Sequence, residues 1–216
     1  GTPFAGTLEQ NNVSWIYRMV NGQAPLLDEA LMARLRTAPD VPTTSIFSRS
    51  DGIAISAGDA NAANTSVLMA GDALWALWEG GSAVAMDPET LETRGMVTHR
   101  PDLKSMPFLA HPRRESDGRI WNLGMGRGQA MVWRLSPSGD LEAATMIDLP
   151  RASYVHDFTA TARHLVIVLQ PWVQARMTMP LSEGFEWRPD EGTQVLVIGK
   201  DDLTRRRVFE LPAFGF

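Results

Sequence analysis

The stretch Ile120-Trp121-Asn122-Leu123-Gly124-Met125-Gly126-Arg127-Gly128-Gln129-Ala130-Met131-Val132-Trp133-Arg134-Leu135-Ser136-Pro137-Ser138-Gly139-Asp140-Leu141-Glu142 decides the fold class. Two apolar runs, Ile120–Met125 and Ala130–Leu135, are each about strand length, and turn residues bound both. A polar turn then leads to Leu141, which starts a return strand. The same texture covers the chain from about residue 66 onward. Val67–Ala70, Ala73–Trp78, Ser82–Met86, His164–Leu169 and Gln194–Ile198 are further short apolar runs between Gly, Pro, Asp and Ser clusters. No segment of this part reads as a long helix. The reading is all-β and antiparallel, with tight hairpins.

The turn-then-leucine plan recurs. Ala85-Met86-Asp87-Pro88-Glu89-Thr90-Leu91-Glu92 and Ile198-Gly199-Lys200-Asp201-Asp202-Leu203 share it with Arg134–Glu142, and the anchoring leucines Leu91, Leu141 and Leu203 are 50 and 62 residues apart. Four strands with their turns fill roughly 40–50 residues, the size of a propeller blade. The longer interval needs an insertion, and residues 171–192, rich in Pro, Met and polar groups, can supply it. A β-sandwich with similar hairpins fits the same repeats. Upstream, Leu27, Leu31, Met32 and Leu35 fall at helical spacing, with Asp28 as a cap and Pro39 and Pro42 as stops. One short N-terminal helix is expected there. The first 60 residues are otherwise irregular, and residues 1–216 read as one domain.

Composition excludes several function classes. The chain has 216 residues, 44% hydrophobic and 21% charged, as in a globular protein and unlike a disordered one. Twenty Lys and Arg against 25 Asp and Glu give a net charge of −5, which argues against non-specific nucleic-acid binding. There are no cysteines, so disulfides, thiolate metal sites and cysteine nucleophiles are ruled out. Their absence fits the cytosol. No apolar run approaches the ~18 residues needed to cross a bilayer. Gly124-Met125-Gly126-Arg127-Gly128 lacks the Lys-Ser/Thr ending of a phosphate loop, and no G-x-S-x-G elbow supports serine catalysis.

Without cysteine, a metal site must use His and carboxylates. Of the four histidines, His99 lies in a polar loop and His164 follows Arg163 at a turn; both are set aside as ligands. His111, in Phe108-Leu109-Ala110-His111-Pro112, and His156, in Tyr154-Val155-His156-Asp157-Phe158, sit in apolar contexts where a buried imidazole needs partners. Each taken singly also fits a hydrogen-bonded core histidine. Glu79 ends the apolar run Leu74-Trp75-Ala76-Leu77-Trp78-Glu79-Gly80-Gly81. It is a candidate acceptor behind a ligating imidazole. By itself, beside a Gly-Gly turn, it reads rather as a strand-end glutamate in water.

Five motifs in order resemble those of the carotenoid cleavage oxygenases. They are Leu77-Trp78-Glu79-Gly80-Gly81, Met86–Leu91, Ala110-His111-Pro112 with Asp117-Gly118 and Trp121-Asn122, Val155-His156-Asp157-Phe158-Thr159, and Phe185–Pro189 with Gly192-Thr193. The match covers residues 64–216. The resemblance implies a seven-bladed β-propeller with Fe(II) on its axis, held by four histidines from four blades and backed by three glutamates. It makes His111 and His156 the first two metal ligands and Glu79 the partner of His156. It implies insertion of dioxygen across a C=C bond of an apolar polyene, giving two carbonyl products.

By the same resemblance this chain is the N-terminal to middle part of a longer protein, with about three of seven blades. The third and fourth ligands then lie outside it, and the isolated chain is expected neither to bind iron as the family does nor to be active. In the family's stilbene-cleaving branch a Lys precedes the supporting Glu. Here that position is Trp78, which favours a carotenoid or apocarotenoid over a phenolic stilbene. Phe108, Trp121, Tyr154, Phe158 and Trp172 join Trp78 as candidates for the substrate tunnel; each taken singly also fits a plain core aromatic. The alternatives are a polyene isomerase on the same scaffold, a stilbene-cleaving oxygenase, and a non-enzymatic propeller that binds a partner. Polyenes partition into bilayers, so peripheral membrane contact is compatible with the absence of an anchor. The sequence does not set the oligomeric state.

Overall fold

In the computed structural model, which describes residues 65–176, 178 and 181–215, fourteen strands follow one another along the chain. They are β1 Ser66–Ala70, β2 Ala73–Leu77, β3 Val84–Met86, β4 Thr93–Met96, β5 Arg113–Arg114, β6 Ile120–Gly126, β7 Gln129–Leu135, β8 Leu141–Asp148, β9 Thr159–Ala160, β10 His164–Leu169, β11 Trp172–Gln174, β12 Phe185–Trp187, β13 Thr193–Gly199 and β14 Arg206–Leu211. They pair as three four-stranded antiparallel sheets, β1-β2-β3-β4, β5-β6-β7-β8 and β9-β10-β13-β14. The ribbon β11-β12 is inserted into the third. The expected insertion at 171–192 is thus this ribbon with two 3-10 turns, Leu181–Gly184 and Pro189–Glu191. The helix expected around Leu27–Leu35 lies outside the described residues. Among the described residues, no helix is long and apolar enough to cross a membrane.

Local chemistry sets the hairpins. Gly126 pairs with Gln129, so Arg127 and Gly128 form a two-residue turn. Their φ values of 49° and 78° are the left-handed pair of a type I′ turn, whose twist matches that of the flanking strands. The return strands start later than the leucine anchors suggest in two sheets. Leu91, at φ 61°, and Leu203 sit in the turns, and β4 and β14 begin at Thr93 and Arg206. Polar side chains at the turns satisfy the backbone first: Asp87 accepts from the amides of Glu89 and Thr90, and Asp202 from that of Thr204.

The two central strands of the middle sheet, β6 and β7, are buried on both faces, which is why they read as continuous apolar runs. Ile120, Met131, Trp133 and Leu135 pack with Trp75, Leu77 and Phe108 toward the first sheet. Trp121, Leu123, Ala130 and Val132 pack with Leu165, Ile167, Leu169, Leu196 and Ile198 toward the third. Alternation with period two therefore sorts one pair of strands into two cores. His99 lies in a loop, as read, but its ring is enclosed by aromatics, 5.5 Å from those of Trp75 and Trp133 and 6.4 Å from Phe108.

One buried polar residue ties a connection to this frame. Asn122, fully buried, donates to Leu109 O at 2.8 Å and accepts from the Leu123 amide at 2.9 Å. Leu109 N returns a bond to Leu123 O at 2.8 Å, and Trp133 Nε1 donates to Pro107 O at 3.0 Å. Gly124 makes the close approach possible, since a Cβ there would stand 1.9 Å from Pro107 O. The segment Pro107–Ala110 is thereby sewn onto β6 and β7.

Asn122→Leu keeps the volume but orphans the Leu109 carbonyl and the Leu123 amide; about 1–3 kcal/mol of stability should be lost for each, read from urea unfolding. Burial holds the His99 imidazole below its ordinary value, against a smaller opposing effect of Asp140. The folded state then binds fewer protons than the unfolded one as pH drops below about 6.5. Stability should be full above that pH and decline below it. His99→Phe should flatten this decline in thermal midpoints measured across the range.

Candidate metal centre

The two histidines singled out by context occupy matching places in successive sheets. His111 stands two residues before β5, the first strand of the second sheet, and His156 three residues before β9, the first strand of the third. Both therefore lie on connections between sheets. The first connection is held by the bonds to β6 and by Phe108 N to Gly81 O at 2.9 Å. The second is held by Tyr154 N to Trp172 O at 2.9 Å and by the buried Ser153 hydroxyl, which donates to Gln170 O at 2.7 Å.

At the ends of these connections the imidazoles meet. His111 Nε2 and His156 Nε2 are 3.1 Å apart, with ring centroids 4.6 Å apart and planes inclined by 65°. Glu79, two residues past the end of β2, approaches from the far side. Its Oε1 lies 2.8 Å from His156 Nδ1. That oxygen is buried and has no well-formed hydrogen bond among the described residues, so the histidine contact is its close polar support. The Glu79 side chain keeps 18% of its exposure and that of His156 45%, so the cluster is backed by protein on the carboxylate side and open on the other.

This donor set suits a divalent first-row metal. One ligand atom each from Glu79, His111 and His156 falls within 4.8 Å of the others. Two nitrogens bound at about 2.1 Å and at right angles stand about 3.0 Å apart, close to the Nε2 separation here. A carboxylate oxygen 2.8 Å from Nδ1 favours the His156 tautomer protonated there, which would leave the Nε2 lone pair for a metal. Without a cation, one Nε2 must donate to the other, which requires a particular pair of tautomers.

The tunnel candidates scatter. Phe108, 3% exposed, belongs to the core between the first and second sheets; Trp121 and Phe158, 5% and 3% exposed, belong to that between the second and third. Trp172 packs on Trp187 at 6.4 Å. Trp78, half-buried, directly precedes Glu79 and lies against Gly80. Tyr154 is 40% exposed and meets Phe185 edge-on at 5.7 Å. Desolvation and, second, the Glu79 charge push its phenol up to about 12, so it stays protonated at neutral pH. His164 begins β10, paired with Gly199, outside the cluster.

Two ion pairs between the second and third sheets escaped the sequence reading. Arg113 and Asp157 join the two connections, and Lys200 bonds Glu115 and, at 2.6 Å, Thr161 O. The Lys200 side chain is 8% exposed. A charged residue beside an apolar run was the available signal, since a buried charge requires a partner.

The family model described as retinal pigment epithelial membrane protein matches residues 5–216. The resveratrol cleavage oxygenase 1 of Aspergillus fumigatus is 30% identical over 59% of this chain and 27% of its own length. The carotenoid isomerooxygenase of Galleria mellonella is 27% identical over 77% of this chain and 37% of its own. The crystal structure of Pseudomonas brassicacearum lignostilbene dioxygenase superposes with a TM-score of 0.65 and 33% identity, covering 74% of this chain and 35% of that one. The chain thus spans about a third of the length of the relatives it matches. The three sheets are blades of the β-propeller of these enzymes. With the family model spanning nearly all of it, this chain belongs to the retinal pigment epithelial membrane protein family, whose relatives include carotenoid- and stilbene-cleaving oxygenases.

Proposed function

We propose that this chain supplies His111 and His156 as two ligands, and Glu79 as supporting carboxylate, to the Fe(II) centre of a dioxygenase. The reaction proposed is cleavage of a C=C bond in a carotenoid or apocarotenoid, with O2 as co-substrate and two carbonyl compounds as products. The observation that carries this reading is the 3.1 Å approach of the two Nε2 atoms with Glu79 at 2.8 Å behind one of them.

Bound iron supplies the redox chemistry with dioxygen. The protein's own residues supply the rest. Glu79 keeps the His156 proton on Nδ1, so the ring faces the metal as a neutral ligand. Two neutral imidazoles leave the cation its charge, and further ligands come from outside this chain. Trp78 and the Tyr154–Phe185 pair offer apolar and aromatic surface beside the cluster; a phenol protonated at neutral pH suits an apolar polyene there. A phenolic stilbene is the second reading, because relatives at 30% and 33% identity act on resveratrol and lignostilbene by name. Trp78 stands against it, since an indole offers a phenolate no cation.

The test is product analysis with the intact protein loaded with Fe(II), given an apocarotenoid and a phenolic stilbene. Cleavage of the polyene into two carbonyl products is expected. Unchanged mass with altered geometry would mean isomerisation, preferential stilbene cleavage would favour the second reading, and no turnover with no retained iron would leave a binding module. His111→Ala or His156→Ala should abolish iron retention. Glu79→Gln should weaken it by roughly 10–100-fold, measured by competition with a ferrous chelator.

A further inference from the structure

Each histidine is fixed to its own sheet, and little in those bonds sets the distance between them. The bonds of the Pro107–Ala110 connection run to β6, to Trp133 and to Gly81, and those of the Ser153–Tyr154 connection to Trp172 and Gln170. Besides the contact between the two imidazoles themselves, the polar bridge from the one segment to the other among the described residues is made by Arg113, at the start of β5. It lies two residues past His111 and reaches the residues immediately following His156. Its Nε donates to Phe158 O at 2.7 Å, and its Nη2 to Asp157 Oδ1 and Oδ2 at 2.7 and 2.6 Å. Asp157 Oδ1 also accepts from the Phe158 amide at 2.6 Å, which fixes the carboxylate to its own backbone. The guanidinium carbon stands 5.9 Å from the centre of the Phe158 ring. One planar fork therefore grips a carbonyl and a carboxylate on the opposite connection at once.

We propose that Arg113 and Asp157 are a positioning pair, clamping the two connections so that the His111 and His156 imidazoles keep the separation a shared metal requires. The inference rests on the metal-centre reading for its consequence and on the geometry alone for the clamp. The pair is two-fifths exposed, with side chains 38% and 37% accessible, so as an isolated ion pair it would contribute little to stability. Its effect lies in direction. Three charge-assisted bonds fix one backbone against another within three residues of both imidazoles. Lysine cannot reproduce it, because a single ammonium on a flexible stem lacks the planar fork. The pair between Lys200 and Glu115 also joins the second and third sheets, at the β5–β6 turn and the end of β13, and serves as the control.

Two measurements on the intact protein test the clamp. The first is Fe(II) affinity by chelator competition, with the unfolding midpoint recorded beside it. Arg113→Gln and Asp157→Asn should each weaken iron binding roughly 10–100-fold, and the double variant should do little more than either alone, since both remove one unit. Arg113→Lys should recover only part. Lys200→Gln should lower the midpoint and leave iron affinity unchanged. The second measurement needs no metal and exploits the absence of cysteine from this chain. A His111→Cys, His156→Cys variant should be cross-linked efficiently by a short bis-maleimide, and adding Arg113→Gln should cut the yield severalfold while Lys200→Gln does not. If parent protein retains no iron yet the cross-linking falls, the clamp stands and the iron reading fails. If cross-linking and iron affinity both ignore Arg113→Gln, or both merely follow the unfolding midpoint as Lys200→Gln does, the clamp is overturned.

Discussion

Burial of β6 and β7, the centre of the middle sheet, on both faces is the constraint on which the rest depends. A four-stranded antiparallel sheet with one apolar face could fold onto a single partner. β6 and β7 present apolar residues to both sides, so they demand a sheet in front and a sheet behind. Stacking then brings the chain's connections into register. The connection entering the second sheet and the connection entering the third end beside each other, and each carries a histidine at that end. The cluster of Glu79, His111 and His156 is a product of how sheets stack, with no strand of its own and no local metal-binding motif.

That origin explains the polar chemistry around it. A connection that threads between two sheets cannot leave its amides and carbonyls in water, so it must find partners inside. Asn122 exists in an otherwise apolar strand to give Leu109 one, and Trp133 gives Pro107 another. The glycine at position 124 clears the space for the second contact. On the other connection Ser153 does the same work through Gln170. The residues that look like exceptions to the hydrophobic pattern are the ones that aim the ligand-bearing segments.

The legible part of the fold was the part whose signal is local. β2, β6, β7, β10 and β13 are buried strands, and burial writes itself as an apolar run. β4 and β14 carry Thr93-Arg94-Gly95-Met96 and Arg206-Arg207-Val208-Phe209-Glu210-Leu211 on the outside of their sheets, where solvent imposes no such pattern. They surfaced in the sequence only through their turns, and their starts were misplaced onto Leu91 and Leu203 by two residues or more. At the cluster, Glu79, His111 and His156 stood out as polar residues in apolar surroundings, but it was the family resemblance that grouped them. Arg113 and Asp157 did not stand out: each is a charged residue next to a ligand segment, 44 positions from its partner, and only the stacking of sheets reveals the pairing. The aromatic surroundings of His99 were hidden for a related reason, since its polar neighbours in sequence say nothing of Trp75, Phe108 and Trp133 closing around its ring.

Two histidines that meet from separate blades make any cation binding there depend on folding. Leu109 and Val155, each within two residues of a histidine, lie in the same core cluster as Phe158, Leu165 and Ile167. Ligand spacing and inter-sheet packing are therefore the same coordinate, and a cation that selects the native spacing also stabilises the stack that produces it. Rigid cores resist small displacements because a gap of even a fraction of an ångström forfeits dispersion contacts. The apolar packing sets the approach of the two sheets, and a directional contact such as the Arg113 fork fixes the remaining slide and rotation of one connection on the other. Apolar burial alone leaves that freedom open, because it is proportional to area and indifferent to direction. Two imidazoles held 3.1 Å apart from separate connections need both.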